Sequence, residues 1–196
     1  MKFLLRAAIN ALAMVFWVSL MLGFDDIKMT VLTVSAAVIH EGGHIAALAL
    51  LCKKGFSLPR AVASGFRIKS KTPLSYKEEI TVCLCGPLIN VFTFILSARF
   101  FPDFAVINLA TAISNLLPLS DYDGGKILFD SVALKRGIES AEKILPDVSL
   151  VFSSAALFLS LFLILKLNGG YWIFFVFFII TVRQIFLFQN HTKNEH

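Results

Sequence analysis

The sequence is short of charge. Of its 196 residues only 16% are charged, while 57% are hydrophobic and 13% aromatic, a balance far from that of an average soluble domain. Cysteine is scarce too: Cys52, Cys83 and Cys85 make neither a CxxC pair nor a set of spaced pairs, which excludes a disulfide scaffold or a cysteine-built metal site and leaves small buried thiols. The net charge of +5 lacks the basic and aromatic interleaving of a nucleic-acid surface, so no nucleic-acid partner is expected. Low-complexity tracts and internal repeats are absent as well. What the chain has in quantity is long apolar runs. One crossing of a bilayer takes about 20 apolar residues, so about six crossings use most of the chain and leave no room for a separate soluble domain.

Six spans are expected, at residues 7–24, 29–51, 80–101, 104–119, 148–167 and 171–188. The first is read as a retained span, not a cleaved signal, because it is long and no small-x-small site precedes Asp25. Asn168-Gly169-Gly170 separates the last two. Lys2 and Arg6 at the N-terminus, Lys53 to Lys77 after the second span, and Lys126 to Lys143 after the fourth gather on one side. The other side holds only Lys28, Arg99 and Lys166. Basic loops stay in the cytoplasm, so both termini are expected there and the chain is placed in a cell membrane as a multi-pass protein. The fold class expected is all-α membrane protein, in one domain over residues 1–196. The segment from Ser57 to Thr72 is short and basic with roughly alternating apolar residues, which leaves a hairpin bending at Gly65 and a solvated loop equal on pattern alone.

Within the second span stands His40-Glu41-Gly42-Gly43-His44. Its two imidazoles lie one turn apart on one helix face, where they can share a zinc ion, and Glu41 beside them can take a proton from an attacking water. A purely structural cluster is costly, since ionisable groups at a helix centre in lipid cost about 2.5–3.5 kcal/mol each. Gly42 and Gly43 each weaken a helix interior by about 1 kcal/mol. They leave room either for substrate and water or for a closely packed helix. A catalytic zinc needs a third protein ligand and an open position. The region to supply it is Asn115-Leu-Leu-Pro118-Leu-Ser-Asp121-Tyr-Asp123-Gly124-Gly125 at the end of the fourth span, where proline and paired glycines break the helix. Broken backbone at membrane depth is tolerated only in protein or around water. If the second span runs inward from Met29 to Leu51, His44 lies roughly 10 Å from the cytoplasmic end, a depth the fourth span's end can reach. In the third span, Gly86-Pro87-x-x-Asn90 places an amide that needs partners, either as glue between helices or at the site. His191 and His196 fall in the polar tail and read as solvated.

These three motifs, in this order on separate spans, resemble the site-2 protease family of intramembrane zinc metalloproteases, closest in layout to the stage IV sporulation protein FB branch. The resemblance covers about Met29 to Gly125. It implies that His40, His44 and Asp123 hold one zinc per chain and that Glu41 activates the water. The spacing from Asn115 to Asp123 matches the family pattern and favours Asp123 over Asp121. It also implies a short membrane-associated β hairpin between the second and third spans, able to receive an unwound substrate as an added strand. Asn90 and Asn115 are candidates to support substrate or oxyanion. The expected partners are the lipid bilayer, a membrane-embedded or membrane-associated protein substrate and a regulatory membrane protein. Two other classes compete. A membrane zinc transporter needs polar groups along a path to both faces, which the apolar first, fifth and sixth spans do not offer. A non-catalytic metal-binding scaffold has no use for Glu41.

Overall fold

The structure is a computed structural model that describes residues 27–51, 60–62, 65–67, 74–167 and 171–194. The expected first span, the Asn168-Gly169-Gly170 connection, Cys52 and His196 lie outside the described residues. Among the described residues six helices follow in order: α1 (Ile27–Leu51), α2 (Tyr76–Ser97), α3 (Pro102–Asn115), α4 (Asp123–Arg136), α5 (Ile138–Leu167) and α6 (Tyr171–Asn194). Between α1 and α2, β1 (Arg60–Val62) and β2 (Gly65–Arg67) pair antiparallel, Arg60 opposite Arg67 and Val62 opposite Gly65. Gly65 therefore opens the second strand instead of forming the bend.

Among the described residues three helices are long and apolar enough to cross a membrane: α1, α2 and, within α5, Ile138–Lys166. Phe174–Phe186 in α6 is a shorter apolar stretch. The surface is what lipid requires. Val38, Leu50, Phe92, Ile95 and Phe158 point outward, while Ala36, Ala47, Ala105 and Ala112 are buried. Small residues let helix backbones approach where hydrophobic burial gives no driving force.

Several boundaries differ from the sequence expectation, each for a local reason. α2 starts at Tyr76 because Ser75 and Glu78 form a capping box, the Ser75 side chain taking the Glu78 N–H and the Glu78 carboxylate taking the Ser75 N–H at 2.8 Å. Two orphan donors are satisfied at once. The expected fourth span is the 14-residue α3, about 21 Å long and short of a hydrocarbon core of about 30 Å. The loop expected to carry Lys126 to Lys143 is instead α4 and the start of α5. Gly124 and Gly125 sit in the first turn of α4, and the left-handed glycine is Gly137 (φ 87), which separates α4 from α5. α5 begins ten residues earlier than expected and runs through Pro146.

The chain divides into two compact units, Met1–Ala112 and Ile113–His196. In the first, α1 packs on α2; in the second, α4 packs on α5 and α5 on α6.

Candidate metal centre

The histidine half is built where α1 meets α2. A Cβ on Gly43 would stand 2.5 Å from the Cys85 carbonyl oxygen and 2.8 Å from Ile89 Cγ2, whereas at Gly42 it would meet nothing within 4 Å. The two glycines thus divide the two readings of the motif: Gly43 brings the helices together and Gly42 leaves space. Gly86 on α2 faces the imidazoles. A Cβ there would lie 2.5 Å from His44 Nε2 and 2.9 Å from His40 Cε1, so the ring positions require glycine.

Hydrogen bonds then fix each ring. His40, 4% exposed, has Nδ1 at 2.8 Å from Asn90 Oδ1. The Asn90 Nδ2 group donates to the Ala36 carbonyl (3.0 Å) and to Asn108 Oδ1 (2.8 Å), and Asn108 Nδ2 donates to the Phe104 carbonyl (2.9 Å). With Nδ2 committed to two acceptors, Asn90 turns its oxygen to His40, and His40 Nδ1 is the donor. His44 Nδ1 lies 2.8 Å from the Val82 carbonyl oxygen, which can only accept, so it too carries the proton. With Nδ1 donating in each ring, the two Nε2 atoms face each other 3.1 Å apart. Lone pairs facing at that distance repel unless a cation or a shared proton lies between them. The donor set fits zinc, and the outward Nδ1–H bonds are the outer-shell partners that metal-bound imidazoles carry. Glu41 is half-buried on the turn between the two histidines.

The candidate carboxylate, Asp123, belongs to the second unit. α3 ends at Asn115, itself half-buried, and the chain runs irregularly through Pro118 to Tyr122 before α4 begins. Asp123 is the first residue of α4 and 4% exposed. The positive end of the helix dipole favours a carboxylate there, and the exposed Lys126 ammonium is 3.3 Å from its Oδ1. A Cβ on Gly124 or Gly125 would collide with the carbonyls of Leu116, Leu117 or Leu119. These glycines serve close packing and not unusual dihedrals. Asp121 is engaged elsewhere, in a two-pronged ion pair with Arg183 of α6. Burial, with the Asp121 charge adding to it, pushes the Tyr122 hydroxyl pKa up.

No family profile matches the chain. It is 29% identical over 184 residues to stage IV sporulation protein FB of Bacillus subtilis (strain 168), covering 86% of this chain and 62% of that relative. The chain spans less than two thirds of that relative's length. Its fold is similar to that of the site-2 protease from Methanocaldococcus jannaschii, with a TM-score of 0.57, 21% identity, and coverage of 89% of this chain and 85% of the other.

The chain resembles the site-2 proteases. His40, Glu41, His44 and Asn90 lie in the first unit, and Asn115 and Asp123 in the second. Asn108 was missed, although an asparagine inside an apolar run is itself a signal. Polar groups in α5 and α6 were also missed. Ser149, Ser153, Ser160, Thr181 and Gln184 are buried, which corrects the expectation that the last two spans are apolar at their centres. Their partners lie within the protein: Thr181 Oγ1, for example, donates to the Ser153 carbonyl at 3.1 Å.

Proposed function

We propose that the chain is an intramembrane zinc metalloprotease that hydrolyses peptide bonds of membrane-embedded or membrane-associated proteins. The observation that carries this reading is the pair of Nε2 atoms held 3.1 Å apart while each Nδ1 bonds an oxygen on the far side of its ring. His40, His44 and Asp123 make a group of donors that could hold a metal ion, each offering one atom, and this is the zinc ligand set we assign. Two imidazoles and one carboxylate are the set of several zinc peptidases and leave a position open. What zinc supplies in such a set is Lewis acidity, which activates water near neutral pH and polarises a carbonyl.

Glu41 takes the proton of the attacking water and delivers it to the leaving amine. Asn90 has spent both Nδ2 hydrogens, so we assign it to orient His40, and we assign Asn115, from its place in the motif, to oxyanion or substrate support. A helical substrate must unwind before its carbonyls are accessible. The β1–β2 pair is proposed as the membrane-associated edge that receives it by main-chain pairing. Six spans with both termini in the cytoplasm, one domain comprising both units, and a regulatory membrane protein that controls access complete the reading.

The test is cleavage of single-span substrates by purified protein in detergent, comparing the parent with Glu41→Gln while zinc is quantified in both. The expected outcome is a variant that keeps its zinc and cleaves about 10²–10⁴-fold more slowly. A variant that cleaves like the parent would falsify the role of Glu41.

A further inference from the structure

Two helices of the second unit contribute none of the proposed ligands, yet both grip the segment that leads into Asp123. From α5, the Ser149 hydroxyl donates to the Pro118 carbonyl at 3.1 Å and lies 3.1 Å from Ser120 Oγ. From α6, Gln184 Oε1 takes the Ser120 hydroxyl at 3.1 Å, and the adjacent Arg183 guanidinium holds Asp121. Ser149 and Gln184 are 0% and 1% exposed. Amide and hydroxyl groups are costly to bury without partners, and each of these two aims a polar atom at the loop. The loop is otherwise held by the buried Leu119 and by its carbonyls packed on Gly124 and Gly125. Residues 116–122 belong to no helix, and the backbone bonds that order them are short-range, such as Leu119 N–H to the Leu117 carbonyl at 2.7 Å and Tyr122 N–H to the Leu119 carbonyl at 2.9 Å.

The contrast with the rest of α5 and α6 sharpens the point. Ser160 is equally buried but spends its hydroxyl within its own helix, on the Leu157 carbonyl at 2.7 Å, and Thr181 ties α6 to the α5 backbone. Only at the level of Ser149 and Gln184 do the described hydrogen bonds of these helices leave the pair and reach the loop. The first residue after that loop is the aspartate.

We propose that Ser149 and Gln184, with Arg183 at the rim, are positioning residues that set the place of the Asp123 carboxylate through Ser120, Pro118 and Asp121. This rests on the assignment of Asp123 as a ligand. Its consequence is that metal affinity depends on side chains in the last two helices that never touch the metal. Outer-shell partners of this kind typically govern about 10–100-fold in affinity.

The experiment measures zinc affinity of the full chain in detergent by chelator competition, and the absorption spectrum of the cobalt-loaded protein, for Ser149→Ala, Gln184→Leu, Ser160→Ala and Asp123→Asn, with helix content followed by circular dichroism. Ser149→Ala removes a single oxygen and keeps the measurement informative if Gln184→Leu does not fold. The expected result is about 10–100-fold weaker zinc binding and an altered cobalt spectrum in Ser149→Ala and Gln184→Leu. Ser160→Ala should match the parent, Ser149→Thr, which keeps the hydroxyl, should recover most of the affinity, and helix content should not change. Parent-like affinity in Ser149→Ala and Gln184→Leu, with Asp123→Asn weakened, overturns the positioning role and leaves the ligand set intact. Parent-like affinity in Asp123→Asn removes the ligand itself, and both the assignment and this proposal fall.

Discussion

The two halves of the proposed centre are held by different means. His40 and His44 project from the middle of a 25-residue helix. One ring is fixed by a backbone carbonyl and the other by an amide whose oxygen and hydrogens are all engaged. Asp123 follows an irregular segment and depends on side chains reaching in from two helices. The helix-borne pair tolerates little change where Gly43 meets the facing helix and Gly86 meets the rings, whereas a loop-borne ligand can be adjusted by neighbours. Rigid placement of the paired imidazoles and an adjustable third ligand is a division of labour suited to the proposed proteolytic site, which would have to admit a polypeptide.

The largest effect expected from breaking this comparison is on the rigid side. His44→Ala removes a donor outright, and bound zinc and proteolysis should both fall to background in metal analysis and cleavage assays. Next comes Gly86→Ala. The added methyl would stand 2.5 Å from His44 Nε2 and 2.9 Å from His40 Cε1, so zinc affinity should drop by about 10–100-fold, measured by chelator competition. Asn90→Ala leaves His40 free to adopt the other tautomer and also unties α1 and α3, so affinity should fall and thermal stability with it, by about 1–3 kcal/mol for the buried partners left unpaired. Asn90→Asp keeps an acceptor for His40 but loses both donors, so it should preserve more of the affinity than of the stability. Arg183→Gln acts at the exposed rim of the loop and should cost at most about 1 kcal/mol. Smallest of all, Gly42→Ala places a methyl in open space and should leave zinc binding unchanged. If it instead slows cleavage with KM raised, that space is where substrate passes.

How much of this was legible in the sequence follows the same division. The His40-Glu41-x-x-His44 pair and Gly86-Pro87-x-x-Asn90 stood out because ionisable and amide groups in apolar runs are expensive, whereas the residues left Asp121 and Asp123 both open and only the family resemblance favoured Asp123. The helical nature of α4 did not stand out. Its Gly-Gly start imitates a break and its lysines imitate a loop, and only the packing of Gly124 and Gly125 against the preceding carbonyls reveals why glycine is needed there. The hydroxyls of α5 and α6 were invisible for another reason: serine and threonine in a span can satisfy themselves on their own helix, as Ser160 does. Sequence alone does not say which of them point at a neighbour. Asn108 has no motif around it, and its importance comes from one hydrogen bond to Asn90.

The most direct test of the account is the metal itself, measured as zinc per chain by elemental analysis with X-ray absorption on the purified full chain, for the parent, His40→Ala and Asp123→Asn. The account predicts one zinc per parent chain with two imidazole nitrogens and oxygen in its coordination shell, and a loss of affinity in both variants. Zinc held by His40→Ala as tightly as by the parent would contradict it.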